Sequence, residues 1–141
     1  MTTIFQKIIN REVEAAIIYE DKNNIAFLDA FPFEPGHVLV IPKKAHKTIF
    51  DMSESEFLDL QRVIFKVANK IRKTTQKDVV IIQRNGEDAG QEIPHVHFHI
   101  IPRYISEKEK PLFSDDNSVL ISKDESKKFK DMFSFDKNVI E

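Results

Sequence analysis

The stretch that decides the fold reads His95-Val96-His97-Phe98-His99-Ile100-Ile101, in which imidazole and apolar side chains alternate. A β-strand repeats every two residues, so the three histidines would lie on one face and the apolar residues on the other. A protein core requires the apolar face but has no use for three imidazoles in a row. The pattern therefore predicts a strand that is anchored on one face and carries a reactive site on the other.

Two chemistries would use such a row of histidines. Neutral imidazole binds zinc well, but a strand rises about 3.3 Å per residue, which separates the backbones of His95 and His99 by about 13 Å. Alternatively, a central imidazole acts as a nucleophile toward phosphorus or an acyl carbon, while its neighbours hydrogen-bond the oxygens and assist the leaving group. The linear spacing suits an extended substrate such as a phosphate chain.

The composition limits the class of protein. The chain has 141 residues, of which 41% are hydrophobic and 31% charged, and its net charge is −2. These values predict one cytoplasmic globular domain, without the basic face that nucleic acid requires. No apolar run has membrane-spanning length, and the first residues do not resemble a signal peptide. The absence of cysteine excludes disulfides and thiolate metal sites.

Hydrophobic periodicity and turn residues predict five strands and a short N-terminal helix over residues 4–9. A polar turn at residues 21–24 joins the first two strands as a hairpin. The predicted strands are Ala16–Tyr19, Ile25–Leu28, His37–Ile41, Val79–Ile82 and the histidine segment. Their order, with one long helix inserted, is typical of an α+β fold with a mainly antiparallel sheet.

The long helix has the strongest local signals. Ser53 and Glu56 form a capping box, and Met52 and Phe57 are spaced as a hydrophobic staple. An apolar stripe then recurs every three or four residues as far as Ile71. We assign residues 1–105 to the catalytic domain and residues 106–141 to a charged C-terminal extension. Within the extension, Ser122 and Glu125 would cap a short helix with Phe129, Met132 and Phe133 on one side.

The histidine segment matches the signature His-φ-His-φ-His-φ-φ, where φ is apolar, and the chain resembles the histidine-triad (HIT) superfamily. Four other segments, Ile4–Ile9, Ala26–Asp29, Pro35–Lys44 and Ala89–Gln91, are similar to family segments in the same order and spacing. The resemblance covers about residues 4–104. It implies a nucleotide hydrolase or transferase of bacterial type that acts at the α-phosphate, needs no cofactor and forms a homodimer.

The resemblance also implies roles for individual residues. His97 would be the nucleophile, His95 and His99 would hold phosphate oxygens, and His37 would support the three rings. Asp29 would accept hydrogen bonds from the ribose hydroxyls. Gln91, Asn85 and Arg84 belong to the loop expected to contact the phosphates. The positions that line the purine pocket in the family, and that would equally suit a plain core, are Ile4, Phe5, Ile8, Phe27 and Leu39.

The chain departs from its relatives at several positions. Thr3 and Gln6 replace a Cys-x-x-Cys that holds structural zinc in many relatives, so we expect no metal and no metal role for His46. Arg84 stands where an amide is common. Glu92 replaces the serine of the phosphoramidase branch, which removes a route for proton delivery to an amine.

The predicted function is release of a nucleoside monophosphate from a dinucleoside polyphosphate, through a nucleotidyl-histidine intermediate. Three alternatives remain open: a phosphoramidate hydrolase, a nucleotide-binding regulator with little turnover, and a metal-dependent hydrolase. Neither nucleic acid nor a membrane is an expected partner. In the expected homodimer, the C-terminal helix would pack across the junction near the partner's site.

Overall fold

The fold is a five-stranded sheet with one long helix packed on it, seen in a computed structural model that describes residues 2–112 and 120–135. The strand order is β1-β2-β3-β5-β4, and all neighbouring strands are antiparallel. This confirms the predicted α+β class. The elements are α1 (Ile4–Ile9), β1 (Ile17–Glu20), β2 (Asn24–Leu28), β3 (Val38–Pro42), α2 (Glu54–Thr75), β4 (Asp78–Gln83), β5 (Phe98–Arg103) and α3 (Lys123–Phe133).

One predicted boundary is wrong, because β5 begins at Phe98 and not at His95. Ahead of Phe98 the chain is irregular: the Val96 amide donates to the His46 carbonyl at 2.8 Å, outside the sheet. Regular pairing starts only where Phe98 lies opposite Val40 and Gln83. The period-two alternation still places Val96 and Phe98 in the core, as predicted.

Helix α2 begins as its sequence predicts. The Ser53 Oγ accepts from the Glu56 amide at 3.1 Å, and the Glu56 carboxylate accepts from the Ser53 amide at 2.8 Å, which is the reciprocal capping box. The apolar stripe is buried against the sheet from Leu60 to Ile71. On the opposite side of the helix, Phe65 is 72% exposed.

The sheet separates two apolar clusters, which explains why β2 and β3 are apolar at almost every position. Alternate residues of these strands face α2, and the others face α1. The cluster on the α1 side contains Phe5, Ile8, Ile25, Phe27, Leu39 and Ile41. This second cluster forms the floor on which the site is built.

Helix α3 packs onto the core of its own chain. Its predicted cap is present, since Ser122 Oγ accepts from the Glu125 amide at 3.1 Å. Phe129 and Phe133 are buried in the α2-side cluster, and the Ile121 amide donates to the Ala30 carbonyl at 2.8 Å. In the part of the chain that the structure describes, no helix is both long and apolar enough to cross a membrane.

Candidate active site

A cleft of about 1380 Å³ opens beside α1, the ends of β2 and β5, and one face of α3. It gathers eleven of the thirteen residues that the sequence predicts for the site. Those residues are Ile4, Phe5, Ile8, Phe27, Asp29, His37, Leu39, Arg84, Gln91, His97 and His99. His95 and Asn85 do not line it.

His97 presents an unprotonated nitrogen. Its Nδ1 lies 2.7 Å from the His95 carbonyl oxygen. Because a carbonyl only accepts, the Nδ1 must carry the proton and the Nε2 must hold a lone pair. Burial lowers the pKa of the His97 imidazole, against the opposing effects of the His95 carbonyl and the Glu92 charge, so the ring is neutral near pH 7. A neutral imidazole with its Nε2 lone pair available is the form that attacks an electrophile.

His37 and His99 form a hydrogen-bonded pair whose proton positions follow from one backbone amide. The Phe33 amide donates to His37 Nδ1 at 3.0 Å, so the His37 proton is on Nε2. That N–H donates to His99 Nδ1 at 2.9 Å. The remaining nitrogen of a neutral His99, Nε2, therefore carries its proton and acts as a donor.

Burial keeps both rings of this pair neutral. It lowers the pKa of His37 to about 3, helped by the neighbouring His99 ring. It lowers the pKa of His99 to about 4, with smaller contributions from His97 and from the positive charge of Arg84. Neutrality at physiological pH is what makes the two tautomers well defined.

The arrangement places a nucleophile beside a hydrogen-bond donor. The rings of His97 and His99 have their centroids 5.1 Å apart, one with a lone pair and the other with an N–H. Phosphoryl transfer depends on positioned donors to the oxygens of the reacting phosphorus. These two rings offer an attacking nitrogen and such a donor.

The His95 side chain lies in the core and does not line the cleft. Its ring is fully buried, its Nε2 donates to the Pro42 carbonyl at 2.7 Å, and its Nδ1 has no partner among the described residues. The expected contact of this side chain with a phosphate oxygen stays a prediction. The residue instead contributes its backbone carbonyl, which fixes the tautomer of His97.

The side-chain amides of Asn85 and Gln91 form hydrogen bonds that stabilise the loop between β4 and β5. Asn85 Oδ1 accepts from the Ile49 amide at 2.9 Å, so its side chain ties two loops and does not face the cleft. Gln91 accepts from the Gly86 amide and donates to the Lys47 carbonyl, both at 2.7 Å. Gln91 lines the cleft, but its amide oxygen and nitrogen both have protein partners.

Asp29, His37 and His99 have ligand atoms within 4.8 Å of one another, which is the spacing of a metal site. The tautomers of His37 and His99 do not suit a metal ion. His37 Nε2 carries the shared proton, and it would have to lose that proton to bind an ion. A neutral His37 would then need a proton on Nδ1, against the amide of Phe33. The cluster is better described as a hydrogen-bonded network in which the Asp29 carboxylate also accepts from the Phe31 amide at 2.9 Å.

The apolar wall of the cleft is core and pocket at the same time. Phe5, Ile8, Phe27 and Leu39 are buried in the α1-side cluster, and they also line the cleft. The Phe5 ring meets the His97 ring edge-on, with 5.0 Å between centroids. Ile4 is 43% exposed at the rim. These residues are therefore both core and wall of the cleft, and their role as a base pocket stays a prediction.

Positive side chains border the cleft at two places. Arg84 lies against the loop, where its Nη1 donates to the Ala89 carbonyl at 3.2 Å. On the other side are Lys123, Lys127 and Lys130 of α3, which the sequence reasoning missed. The signal was present, since spacings of four and three place these residues on one helix face. What the sequence did not reveal is that this face adjoins the cleft.

Comparison with known proteins agrees with this geometry. A family model described as the HIT domain matches residues 10–106. A HIT-like protein of Methanocaldococcus jannaschii is 40% identical over 116 residues, which is 82% of this chain and 90% of that protein. A crystal structure of a HIT-like protein from Bartonella henselae superposes with a TM-score of 0.82 at 30% identity, covering 94% of this chain and 93% of that one.

Two relatives carry named activities. The asymmetrical bis(5'-nucleosyl)-tetraphosphatase of Schizosaccharomyces pombe is 42% identical over 92 residues, covering 64% of this chain and 50% of that enzyme. The adenosine 5'-monophosphoramidase of Saccharomyces cerevisiae is 36% identical over 100 residues, covering 71% of this chain and 61% of that enzyme. From the matched domain and the shared fold, we conclude that the chain belongs to the HIT family.

Proposed function

We propose that this protein releases a nucleoside monophosphate from a dinucleoside polyphosphate by way of a covalent nucleotidyl-histidine. The observation that carries the proposal is the hydrogen bond from His97 Nδ1 to the His95 carbonyl at 2.7 Å. It leaves the Nε2 lone pair as the nucleophile, beside the N–H donor of His99. A purine nucleotide would place its base against Phe5 and Phe27 and its ribose near Asp29.

The proposed reaction has two displacements. The His97 Nε2 lone pair forms a bond to the α-phosphorus, and the bond to the bridging oxygen breaks, with its electron pair leaving on the departing polyphosphate. The positive charge on the imidazole is stabilised by the Nδ1–H bond to the His95 carbonyl. Water then attacks the same phosphorus, loses a proton and displaces Nε2, which releases the monophosphate and restores the ring.

Four basic side chains of the cleft offer partners for the phosphates of the proposed substrate. Arg84 carries a permanent positive charge and a fork of donors suited to phosphate. Three lysines of α3 add positive charge on the other side. The lining also holds four acidic side chains, Glu14, Asp29, Glu92 and Asp131, of which Asp131 pairs with Lys127 at 3.1 Å. The cleft volume exceeds the roughly 300–1,000 Å³ that holds a drug-sized ligand, so there is room for more than one nucleotide.

A nucleoside phosphoramidate is the second candidate substrate, since one relative is named as a monophosphoramidase. An amine leaving group needs a proton as it departs. Glu92 lines the cleft, but an ionised carboxylate accepts a hydrogen bond and has no proton to give. This difference favours the polyphosphate.

The test is a side-by-side steady-state assay of a diadenosine polyphosphate and an adenosine phosphoramidate, both with chelator present. Wild type should release adenosine monophosphate faster from the polyphosphate. His97→Ala should lose several decades of turnover, as other nucleophile variants do, while still binding nucleotide. His46→Gln serves as the control, because His46 lies outside the cleft and pairs with Glu56 at 3.1 Å.

Each result separates the candidates. Faster turnover of the phosphoramidate would identify the second substrate class. Labelling of His97 in a single turnover without steady turnover would favour a nucleotide-binding regulator. Loss of activity in chelator would favour metal dependence. Near-wild-type turnover by a folded His97→Ala variant would falsify the mechanism.

We also propose that the protein is a homodimer. β4 is an edge strand of the sheet, and its Ile81 is 49% exposed. The outer face of α2 exposes Leu58 and Phe65. A two-fold axis beside β4 would let one such apolar surface meet its copy. The cytoplasmic location expected from the composition stays a prediction.

A further inference from the structure

A buried cluster of charges lies beside the turn that precedes His37. Glu34 is only 2% exposed, and its carboxylate faces two cations and one amide. Arg103 Nε lies 3.2 Å from Oε2, and Lys110 Nζ lies 3.4 Å from Oε1. The Tyr104 amide donates to Oε2 at 3.2 Å. A carboxylate buried this deeply is tolerable only because it is compensated on several sides.

The same two cations, Arg103 and Lys110, contact Phe33. The guanidinium carbon of Arg103 lies 5.0 Å from the centre of the Phe33 ring, and Lys110 Nζ lies 4.5 Å from it. Lys110 Nζ also donates to the Phe33 carbonyl at 2.6 Å. Both the ring and the carbonyl of Phe33 are therefore fixed by charged groups in a poorly solvated place, where such contacts are strongest.

The amide of Phe33 is the group that donates to His37 Nδ1 at 3.0 Å. The turn between them is closed by the His37 amide, which donates to the Glu34 carbonyl at 3.1 Å. Any rotation of Phe33 would therefore move the backbone donor to His37 Nδ1, which acts together with the Asp29 carboxylate, 3.5 Å from His37 Nε2, to keep the proton on Nε2.

We propose that Glu34, Arg103 and Lys110 act as positioning residues that set the tautomers of His37 and His99 by holding the Phe33 amide in place. With the amide present, His99 Nε2 carries a proton and donates to the cleft. Without it, His37 is able to carry its proton on Nδ1, and His99 Nδ1–H then donates to His37 Nε2. In that second arrangement His99 Nε2 has a lone pair, which repels a phosphate oxygen instead of binding it.

Among these positioning residues, Lys110 lies in a different part of the chain. It lies beyond residues 10–106, the part of the chain that matches the HIT domain. Lys110 thus connects the segment after β5 to the turn that precedes His37, although Lys110 does not itself line the cleft. The inference rests on the proposed roles of His97 and His99, but its main measurement does not involve turnover.

The experiment reads the histidine tautomers directly from ¹⁵N side-chain NMR shifts. In wild type, His37 and His99 should be protonated on Nε2 and His97 on Nδ1. Lys110→Met should give His99 a mixture of tautomers and lower kcat about tenfold with KM nearly unchanged, as expected when one charge-assisted hydrogen bond is lost. Lys110→Arg, which keeps the charge, should restore the wild-type pattern.

Lys108→Met is the matched control, because it removes an exposed lysine from the same segment. A folded Lys110→Met variant with unchanged His99 tautomer would overturn the proposal. So would a wild-type His99 protonated on Nδ1, and that measurement needs no variant to fold. If the wild-type tautomers are as stated but neither substrate turns over, the proposed function fails while the positioning device stands.

Discussion

Acidification should destabilise the fold through the buried His37. Its pKa is about 3 in the folded protein, against about 6.5 in an unfolded chain. Between these values the unfolded state binds a proton that the folded state does not, so stability falls as the pH falls. The contribution is fully present above about pH 6.5 and is lost progressively toward about pH 3.

The expected magnitude follows from the two pKa values. Lowering the pH from about 7.5 to about 5 should reduce the free energy of unfolding by about 2 kcal/mol through His37. The Asp29 carboxylate, 3.5 Å from His37 Nε2, favours the charged ring and makes this an upper value. His99, with a pKa of about 4, adds a loss of similar size and the same sign. Most carboxylates contribute little in this window, because they titrate near about pH 4.

Urea unfolding followed by far-ultraviolet circular dichroism measures this effect. We would compare wild type with His37→Asn at the two pH values, since the difference between the proteins cancels the groups whose surroundings the substitution leaves unchanged. The variant should lose about 2 kcal/mol less than wild type on acidification. Equal losses in both proteins would refute the argument that His37 is buried in its neutral form.

Three further predictions concern the cleft, the C-terminal helix and assembly. Arg84→Ala should raise KM for a diadenosine polyphosphate more than for a phosphoramidate, with a gap that shrinks as salt rises; equal effects would mean that Arg84 does not choose the substrate. Phe133→Ala, at a fully buried position, should reduce the free energy of unfolding by about 3–5 kcal/mol, and a loss below about 1 kcal/mol would show that α3 does not complete the core. Light scattering at micromolar concentration should give a dimer that Ile81→Lys dissociates; a monomeric wild type would contradict the assembly.

The elements with strong local signals were predictable from the sequence. The capping box at Ser53 and the stripe that ends at Ile71 are local features, and both are present as predicted. The polarity pattern also placed His97 and His99 correctly on the face opposite the core. Local chemistry was sufficient in these cases because each signal lies within a few residues of the structure that it determines.

What the sequence did not reveal depends on contacts between distant segments. The burial of His95 depends on a contact with the end of β3, where its ring meets the Pro42 carbonyl, 53 positions away along the chain. Asn85 is diverted from the cleft by the Ile49 amide, 36 positions away along the chain. The lysine face of α3 became part of the cleft only through docking of the helix beside Ala30. The periodicity of a sequence shows which residues share a face of a helix or strand, but it does not show which other element packs against that face.

The docking of α3 also has a consequence for the order in which the protein folds. Phe129 and Phe133 share a cluster with Ile18, Leu28 and Val38, so the first hairpin gains part of its core from residues about a hundred positions later. Such distant contacts carry a high loop-closure cost and form late. During synthesis the early strands would therefore expose apolar surface until α3 docks, and such exposure favours aggregation or chaperone binding. Docking of α3 is therefore a late step of folding, and production of the folded protein should depend on this helix more than its exposed, charged sequence implies.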